Sequence, residues 1–331
     1  YEMQRSLVGS EMCIRDRGHT VHATREEAEK ETLDILYLYA DFARDCLAMP
    51  VLIGQKTEKE KFAGAEETYG MEAMMQDGKS LQAGTTHHFG DKFARAYDIQ
   101  FLDRDGTHKY AWQTSWGVST RLIGALIMAH GDARGLILPP AVAPVQAIVL
   151  PIAIHKAGVE EAARSVIDRL VAAGVRCEGD FSDQTPGWKF NEWEMKGVPL
   201  RLEIGPRDIE NGVVTVVRRD NGEKSVVKNE ELEGVIKCLL SDVHESMYRK
   251  AEAFRDSRIK EAHTLDELKK YLDEGNFVKA MWCGSQECEL KVKELMQATI
   301  RIMPFDQTPI DDKCIADGSP AKKLVIFARA Y

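Results

Sequence analysis

The stretch that decides the fold runs from Trp116 to Gln146 and reads WGVSTRLIGALIMAHGDARGLILPPAVAPVQ. A strand-like segment with a glycine leads into Arg121, and the apolar residues that follow, as far as Met128, are typical of a helix. Pro139 and Pro140 then remove two backbone donors and fix φ, so neither a helix nor a central strand continues through them. The stretch therefore predicts a strand, a helix and, at the prolines, a domain boundary.

The residues before this stretch predict a helix followed by an antiparallel sheet. A capping box at Thr24–Glu27 opens a helix whose apolar spacing continues to Met49. Turn signals at Asp77-Gly78 and Asp105-Gly106 separate segments of strand-forming residues, and we expect a helix at Arg121–Met128 to cross their sheet. The expected strands are Met71–Met75, Ser80–Gly84, Ala96–Leu102 and Tyr110–Trp116.

The residues after the prolines predict a second domain and a smaller third part. A buried-strand run at Ala147–Ala153 and alternation of helices and strands to about Leu240 indicate an α/β domain with a mixed or parallel sheet. A charged helix is expected at Ser241–Ala262, and a capping box at Thr264–Glu267 opens another. Residues 280–331 then form a small sheet-rich module.

The composition is that of an ordinary globular protein. Hydrophobic residues make up 44% and charged residues 29% of the 331 residues, and no run of about 20 apolar residues predicts a membrane span. The net charge of −9 argues against a surface that binds nucleic acid as a whole, although an RNA enzyme needs only a local basic face. Seven irregularly spaced cysteines favour reduced thiols in a cytosolic setting over a disulfide framework.

Several long strings, in the correct order, carry a family resemblance. The order of strand, Arg121 and apolar helix resembles motif 3 of class II aminoacyl-tRNA synthetases, and HGDARGLILPP resembles prolyl-tRNA synthetases of the eukaryote-like type. The resemblance extends from Gly18 to Tyr331. It includes GQKTEKEKFAGA (54–65), TTHHFGDKFARAYDIQF (85–101), TPGWKFNEWEMKGVPLRLEIGPRDIE (185–210) and the closing FARAY (327–331).

The resemblance implies a fold of the α/β (α+β) class in three parts. Residues 18–143 would form the C-terminal part of an antiparallel-sheet class II catalytic domain, residues 144–240 an α/β anticodon-binding domain, and residues 241–331 a small α+β C-terminal module. It also implies a cytoplasmic, homodimeric proline–tRNA ligase that uses ATP and Mg²⁺. Such an enzyme forms prolyl-adenylate from L-proline and transfers proline to proline tRNA, without a membrane or DNA partner.

Residues 1–17, YEMQRSLVGSEMCIRDR, fit neither a signal peptide nor the family pattern. Asp16 and Arg17 stand where the family has Gln-Glu, directly before the Gly-His-Thr that begins at Gly18. We interpret the segment as a cloning or sequencing scar, with a divergent natural N-terminus as the alternative. In the family, motif 1, the motif 2 arginine and a proline-recognition loop precede the position of Gly18. We therefore expect the chain as written to be truncated and inactive alone.

Activation of an amino acid by ATP depends on positioning and on cations beside the developing negative charge. Arg121, at a strand-to-helix junction, fits that role, and the resemblance makes it the catalytic residue that contacts ATP. An isolated arginine at a helix start more often lies on the surface. The resemblance also places Gln82 and Thr85 at ATP and its magnesium, with Gln82 as the magnesium ligand, and Ser119 at ATP.

The resemblance places His87, Trp116 and Phe62 at the proline pocket. Strand alternation puts Thr85 and His87 on one face, but His87 and His88 also fit a structural pair in a half-buried strand. Trp116 fits either the wall of an apolar pocket or the core. Phe62 belongs to a charged loop whose composition by itself indicates a solvated surface loop. The resemblance instead implies a mobile loop that becomes ordered over the active site.

The segment from Pro186 onwards combines aromatic residues with charges of both signs, a mixture that suits stacking on RNA bases and hydrogen bonding to their edges. By resemblance this segment reads the proline anticodon. We expect Trp188 and Trp193 to be core residues. The expected tRNA contacts are Lys189, Arg201, Glu203 and Arg207.

Cys283, Cys288 and Cys314 resemble a zinc site that has lost its fourth cysteine. Asp317 would complete a tetrahedron, because zinc accepts carboxylate oxygen, and a metal-free cluster is the equally open alternative. The apolar FARAY end predicts a docked terminus rather than a frayed one. By resemblance, Tyr331 reaches toward the catalytic domain.

Two other functions stay open. A non-catalytic RNA-binding or regulatory relative would keep the fold, but the joint presence of Arg121, Gln82, Thr85 and His87 argues against it. A threonyl, glycyl or histidyl class II enzyme is disfavoured by the strings HHFG and GWKFNEWE.

Overall fold

The computed structural model describes residues 15–331, which fall into two compact units. The first unit comprises the chain up to Arg44, Met49–Ala125 and Ala253–Tyr331, and the second comprises Asp45–Ala48 and Leu126–Glu252. Most of the predicted scar lies outside the described residues. Its last three residues, from Arg15, begin the first strand.

A nine-stranded sheet organises the first unit. In spatial order its strands are β1 (Arg15–His22), β7 (Trp112–Ser119), β4 (Ser80–Gly90), β3 (Glu67–Met74), β2 (Val51–Gln55), β15 (Thr299–Pro304), β16 (Lys323–Ala328), β14 (Phe277–Trp282) and β13 (Ile259–Glu261). Neighbours are antiparallel except β13 and β14. Because β15 pairs with β2 through Met303 and Gln55, the C-terminal strands continue the sheet that carries the predicted catalytic strands.

Capping side chains begin two helices of the first unit, as the sequence predicts. Thr24 Oγ1 accepts from the Glu27 N–H at 3.2 Å, and the Glu27 carboxylate accepts from the Ala23 N–H. This pair starts α1 (Arg25–Asp45), which ends before the predicted Met49. The Thr264–Glu267 capping box starts α8 (Leu265–Asp273) in the same way. The first unit also contains the short helix α2 (Lys92–Ala96) and the helix α9 (Gln286–Met296).

The segment between β4 and β7 differs from the predicted strand at Ala96–Leu102. Ala96 ends α2, and Asp98 turns the chain with a φ of 55°, so only Gln100–Leu102 is extended, as β5. β5 pairs with β6 (His108–Tyr110) in a separate hairpin outside the main sheet. β4 in turn continues to Gly90, well past the predicted Gly84.

The second unit contains a five-stranded mixed sheet, which agrees with the predicted α/β class. β9 (Cys177–Gly179), β8 (Ala147–Pro151) and β10 (Leu200–Ile204) are parallel, and β11 (Val213–Arg218) and β12 (Lys224–Lys228) follow as antiparallel strands. Helices α4 (Val159–Ala172) and α7 (Leu232–Ser257) bury apolar residues against one face. On the other face α5 (Pro186–Met195) packs Phe190 and Trp193 against Ile148 and Leu150. The short helix α6 (Pro206–Glu210) follows β10.

Helix α7 begins at Leu232 rather than at the predicted Ser241 and ends at Ser257 rather than at Ala262. One buried stripe at helical spacing runs through the predicted start, so the chain has no break there. Its members are Leu232, Ile236, Leu240, Val243 and Met247. None of the helices within residues 15–331 combines the length and apolar composition that a bilayer span requires.

Candidate functional site

Strand register places the residues predicted to contact ATP on one face of the nine-stranded sheet. Thr85 on β4 pairs with Gly117 on β7, and Gly117 pairs with Arg17 on β1. Directly paired residues lie on the same face, and so do residues two apart along a strand. Thr85, Ser119 and Arg17 therefore share a face.

A β-bulge brings Gln82 to that face as well. Gln82 and Thr85 are three residues apart, so a regular strand would place them on opposite faces. Gly84 pairs with Met71 and Gln82 pairs with Glu72, which leaves Ala83 as an extra residue on β4. The extra residue re-aims Gln82 toward the face of Thr85.

A cleft of about 130 Å³ opens on this face. Its lining is Arg17, Gln82, Ala83, Gly84, Thr85, Gly117, Val118, Ser119 and Arg121. Arg121 begins α3 (Arg121–His130), and its N–H donates to Ser119 Oγ at 3.3 Å. Its guanidinium donates to the Gln82 carbonyl at 3.4 Å, and no carboxylate in the described part of the chain forms an ion pair with it. The cleft thus contains an exposed cation without a neutralising acid.

His87 is held as a neutral imidazole beside the cleft strands. It is 4% exposed, and burial lowers its pKa to about 4. Thr68 Oγ1 lies 2.9 Å from His87 Nδ1 and also accepts from the Phe62 N–H at 3.2 Å. The hydroxyl keeps its own proton and can donate it to Nδ1, and in that arrangement the imidazole proton lies on Nε2. Nε2 is buried and has no hydrogen-bond partner among the described residues.

Aromatic rings surround this histidine. The Phe62 ring centroid lies 5.3 Å from that of His87 and 5.8 Å from that of Phe89. Phe62 itself is 47% exposed, so it covers His87 while its outer side faces solvent. The His88 side chain points to the opposite face of the sheet and stacks on Trp112, as expected of a structural histidine.

Trp116 does not join this cluster, contrary to the prediction that it walls the proline pocket. It pairs with Thr86 and Gly18, so register places it on the face opposite His87. A Cβ at Gly18 would lie 2.1 Å from the Trp116 ring, which shows that the ring covers that glycine. His19, which the sequence reading missed, pairs with Ser115 as His87 does, and therefore lies on the face of His87. Alternation of faces along β1 places His19 on the face opposite Gly18, and this pattern in the sequence could have identified it.

The predicted tRNA contacts of the second unit fall into two groups. Lys189 is 3% exposed and donates to the Asp180 carbonyl at 2.9 Å, so its predicted contact with tRNA is not supported. Arg201 is half-buried over the Phe190 ring at 4.2 Å and paired with Glu203 at 3.0 Å. Arg207 is exposed on α6.

The two tryptophans of α5 also differ from each other. Trp193 packs in the unit and donates its Nε1–H to Asp180 at 2.8 Å, as expected of a core residue. Trp188 is 47% exposed, so the prediction that it belongs to the core is wrong. Helical spacing explains the difference, because Trp188 and Trp193 are not a whole number of turns apart and Trp188 lies on the outer side of α5.

The three predicted zinc-ligand cysteines and Asp317 come together in the first unit. One ligand atom from each of Cys283, Cys288, Cys314 and Asp317 lies within 4.8 Å of all the others. Ligands about 2.3 Å from a zinc ion would lie roughly 3.8 Å apart in a tetrahedron, so small shifts would suffice. Burial opposes ionisation of Cys283, but hydrogen bonds from the Ser285 N–H and from neighbouring thiols outweigh burial and lower its pKa.

Comparison with known proteins decides the family. Residues 265–331 match the family described as prolyl-tRNA synthetase, C-terminal, and residues 146–239 match the anticodon-binding domain family. A proline–tRNA ligase of Clostridium novyi is 54% identical over 315 residues, which cover 95% of this chain and 66% of that protein. The chain belongs to the prolyl-tRNA synthetase family.

Other relatives in the prolyl-tRNA synthetase family give the same coverage. Proline–tRNA ligase 2 of Bacillus cereus (strain ZK / E33L) is 52% identical, and a proline–tRNA ligase of Clostridium botulinum is 50% identical, each over 315 residues. The chain spans 66% of the length of these curated relatives.

In this member of the prolyl-tRNA synthetase family, the HGD run (residues 130–132) makes contacts that stabilise the second unit. The Asp132 carboxylate accepts from the buried Arg219 guanidinium at 2.7 and 3.0 Å. His130 Nε2 lies 2.9 Å from the Leu47 carbonyl, and burial lowers the His130 pKa to about 4. The part of the Trp116–Gln146 stretch that lines the cleft comes before the HGD run and consists of Gly117, Val118, Ser119 and Arg121.

Proposed function

We propose that the protein containing this chain is a proline–tRNA ligase that forms prolyl-adenylate from ATP and L-proline and then charges proline tRNA. The proline carboxylate attacks the α-phosphate and releases pyrophosphate. A tRNA hydroxyl then attacks the carbonyl of the mixed anhydride and releases AMP. Besides family membership, the unpaired Arg121 guanidinium in a polar cleft beside His87 is the observation that carries the proposal.

Arg121 would place its charge beside the phosphates, where a preorganised cation stabilises negative charge as it develops. Thr85 and Ser119 offer hydroxyls on the same face, and the side-chain oxygen of Gln82 is of the kind that Mg²⁺ prefers. Magnesium would neutralise phosphate charge when it is bound. Arg17 also lines the cleft, but it belongs to the segment that we interpret as a scar, so we give it no role.

His87 would recognise proline as a neutral donor. Its buried Nε2 lacks a partner within the described chain, and with the proton on Nε2 this buried donor would be costly unless a ligand accepts from it. A proline carboxylate or carbonyl oxygen is such an acceptor. Phe62 would cover the ring of the substrate, because its own ring already lies over His87.

The second unit would bind the anticodon of proline tRNA. Arg207 is exposed, the exposed Trp188 ring offers a stacking surface, and the Arg201–Glu203 pair offers both a donor and an acceptor. Lys189 would support this surface only indirectly, by holding Asp180.

Three further properties belong to this proposal. A zinc ion would be held by Cys283, Cys288, Cys314 and Asp317, where it would stabilise the start of α9. A homodimer would suit the exposed apolar side chains on α1, which include Leu38 and Phe42 one turn apart. A cytoplasmic location agrees with the free thiols of the described residues.

The test is a chimaera in which residues 18–331 replace the matching region of the Clostridium novyi relative. Purified chimaera should charge proline tRNA with L-proline and ATP, and the unmodified relative is the positive control. A folded chimaera that binds proline tRNA but charges it with no amino acid would show a non-catalytic relative and refute the proposal. Charging with another amino acid instead of proline would refute the substrate.

A further inference from the structure

We infer that Glu289, on α9 near the C-terminal end of the chain, is a positioning residue that holds the β2–β3 loop (residues 56–66) over His87. The inference rests on the proposed function, in which His87 faces proline. It concerns a contact between two distant parts of the sequence that meet inside the first unit.

The contact is a single buried hydrogen bond. Thr57 Oγ1 donates to Glu289 Oε1 at 3.1 Å, and both residues are 1% exposed. Helix α9 already buries Cys288, Val292 and Met296 as its apolar face, so Glu289 is not needed to complete that core. A buried carboxylate is costly unless its partners compensate. Burial raises the pKa of Glu289, and the hydroxyl of Thr57 and the nearby charge of Lys59, both from the loop, oppose that rise in part.

Thr57 in turn organises the loop. Its carbonyl accepts from the N–H groups of Glu60 and Lys61 at 3.1 and 2.9 Å, and its Oγ1 accepts from the Glu60 N–H at 3.3 Å. The residue thus caps a tight turn in the manner of a helix N-cap. Fixing Thr57 fixes the direction in which the turn leaves it.

The turn delivers Phe62 to His87. The Phe62 N–H donates to Thr68 Oγ1, the hydroxyl that orients the imidazole through Nδ1. The Phe62 ring lies over the imidazole. A loop released from Glu289 would therefore loosen both the cover over His87 and the hydrogen bond between Thr68 and His87 Nδ1.

The first residue of the loop, Lys56, is also held by a residue from the C-terminal part of the chain. Lys56 donates from Nζ to Glu72 and to the Arg301 carbonyl, each at 2.6 Å, and Arg301 lies on β15. Two successive loop residues, Lys56 and Thr57, are therefore held by residues from the C-terminal 50 positions of the chain. The C-terminal strands and α9 act as the frame of a catalytic-site loop.

Hydrogen–deuterium exchange on the 331-residue chain tests this frame and requires no enzymatic activity. The amides of Glu60, Lys61 and Phe62 have acceptors within the loop, so they report its opening. Glu289→Ala should raise their exchange rate about tenfold, the effect of one lost hydrogen bond. Glu289→Gln should stay within about twofold, because the amide oxygen still accepts from Thr57.

Two matched variants make the result specific. Thr57→Val should raise exchange at least as much as Glu289→Ala, because it removes the bond to Glu289 and also the Oγ1 acceptor of the Glu60 N–H. The double variant should exchange no faster than Thr57→Val alone, because the bond to Glu289 is already lost in that variant. Glu294→Ala, at an exposed position on the same helix, should change nothing. Loop exchange that stays unchanged in a folded Glu289→Ala chain would overturn the inference.

Kinetics of the chimaera separate this inference from the proposed function. Glu289→Ala should raise the KM for proline about tenfold and leave the KM for ATP within about twofold, because Arg121 and Thr85 are untouched. If the unsubstituted chimaera lacks proline activation, the proposed function fails and the exchange experiment alone decides on the frame. If the chimaera is active and Glu289→Ala changes neither KM nor kcat, the positioning role is refuted.

Discussion

Replacing Glu72 is expected to destabilise the first unit far more than any surface carboxylate. Glu72 lies on β3 and is fully buried, with Lys56 at 2.6 Å, Arg301 at 3.1 Å and Ser80 Oγ at 2.5 Å. Burial by itself would raise the pKa of Glu72, but the two cations outweigh burial and lower it. One carboxylate therefore compensates two buried cations, Lys56 of the β2–β3 loop and Arg301 of β15.

The magnitude follows from what Glu72→Ala leaves behind. Lys56 is 2% and Arg301 10% exposed in their side chains, so both cations would remain in low dielectric without an anion. Removing one partner of a buried ion pair costs about 3–5 kcal/mol. The exposed Arg25–Glu29 pair on α1 is the control, since solvent screens that pair and Glu29→Ala should cost far less than Glu72→Ala.

The assay is hydrogen exchange of peptides from β3 and β4 across a urea series. These peptides report the first unit alone, which avoids a two-state assumption for a chain of two units. A loss below about 1 kcal/mol for Glu72→Ala, or a loss equal to that of Glu29→Ala, would refute the reasoning.

The same variant has a pH signature. Burial lowers the pKa of Lys56 even with Glu72 present, and loss of Glu72 removes the opposing charge. A lysine with a lowered folded-state pKa binds fewer protons folded than unfolded, so the variant should gain stability as pH rises toward the unfolded pKa of about 10.4. The deficit of Glu72→Ala relative to the parent should therefore shrink between pH 7 and pH 9, and a deficit that grows would contradict the assignment.

Three other outcomes follow from the placement of predicted site residues. In the chimaera, Arg207→Ala should reduce tRNA charging at least tenfold and leave proline activation unchanged. Equal loss of charging and of activation would show that Arg207 only supports the fold. Lys189→Ala, by contrast, should lower the urea midpoint of the second unit. Deleting Tyr331, whose N–H donates to the Ser80 carbonyl at 3.4 Å and whose ring lies 4.9 Å from Lys79 Nζ, should lower charging severalfold without unfolding, and unchanged charging would remove any role for the docked end. Elemental analysis should find one zinc per chain and a loss of it in Cys283→Ser, and purified parent without zinc would leave a cluster of thiols.

Local signals of the sequence predicted the fold well where they were strong. The capping boxes and the Asp-Gly turns each specify a backbone conformation, and the structure has a helix start or a turn at each. The boundary at Ser241 failed because a charged stretch resembled a new helix, while the buried stripe of α7 runs through it from Leu232. Sequence composition cannot separate two helices from one when the buried spacing stays in phase.

The candidate site was predicted by resemblance, and its errors have a common physical origin. Gln82 reaches the cleft only because of a bulge, and Trp116 leaves the pocket because register puts it on the other face. Lys189 is buried because Asp180, nine residues earlier, folds back to accept from it. Register, bulges and long-range pairing are tertiary properties, so strings of residue types name the participants but not the direction in which each side chain points.

The central claim is that Arg121 supplies the cation for adenylate formation in a prolyl-tRNA synthetase. Proline-dependent exchange of pyrophosphate into ATP measures that step directly in the chimaera. Arg121→Ala should lower the exchange rate by about 10²-fold or more, as expected for the loss of one preorganised contact to a developing charge. Arg104→Ala, in the exposed hairpin turn, should leave the rate unchanged. A loss of less than about threefold in a folded Arg121→Ala chimaera would contradict the claim.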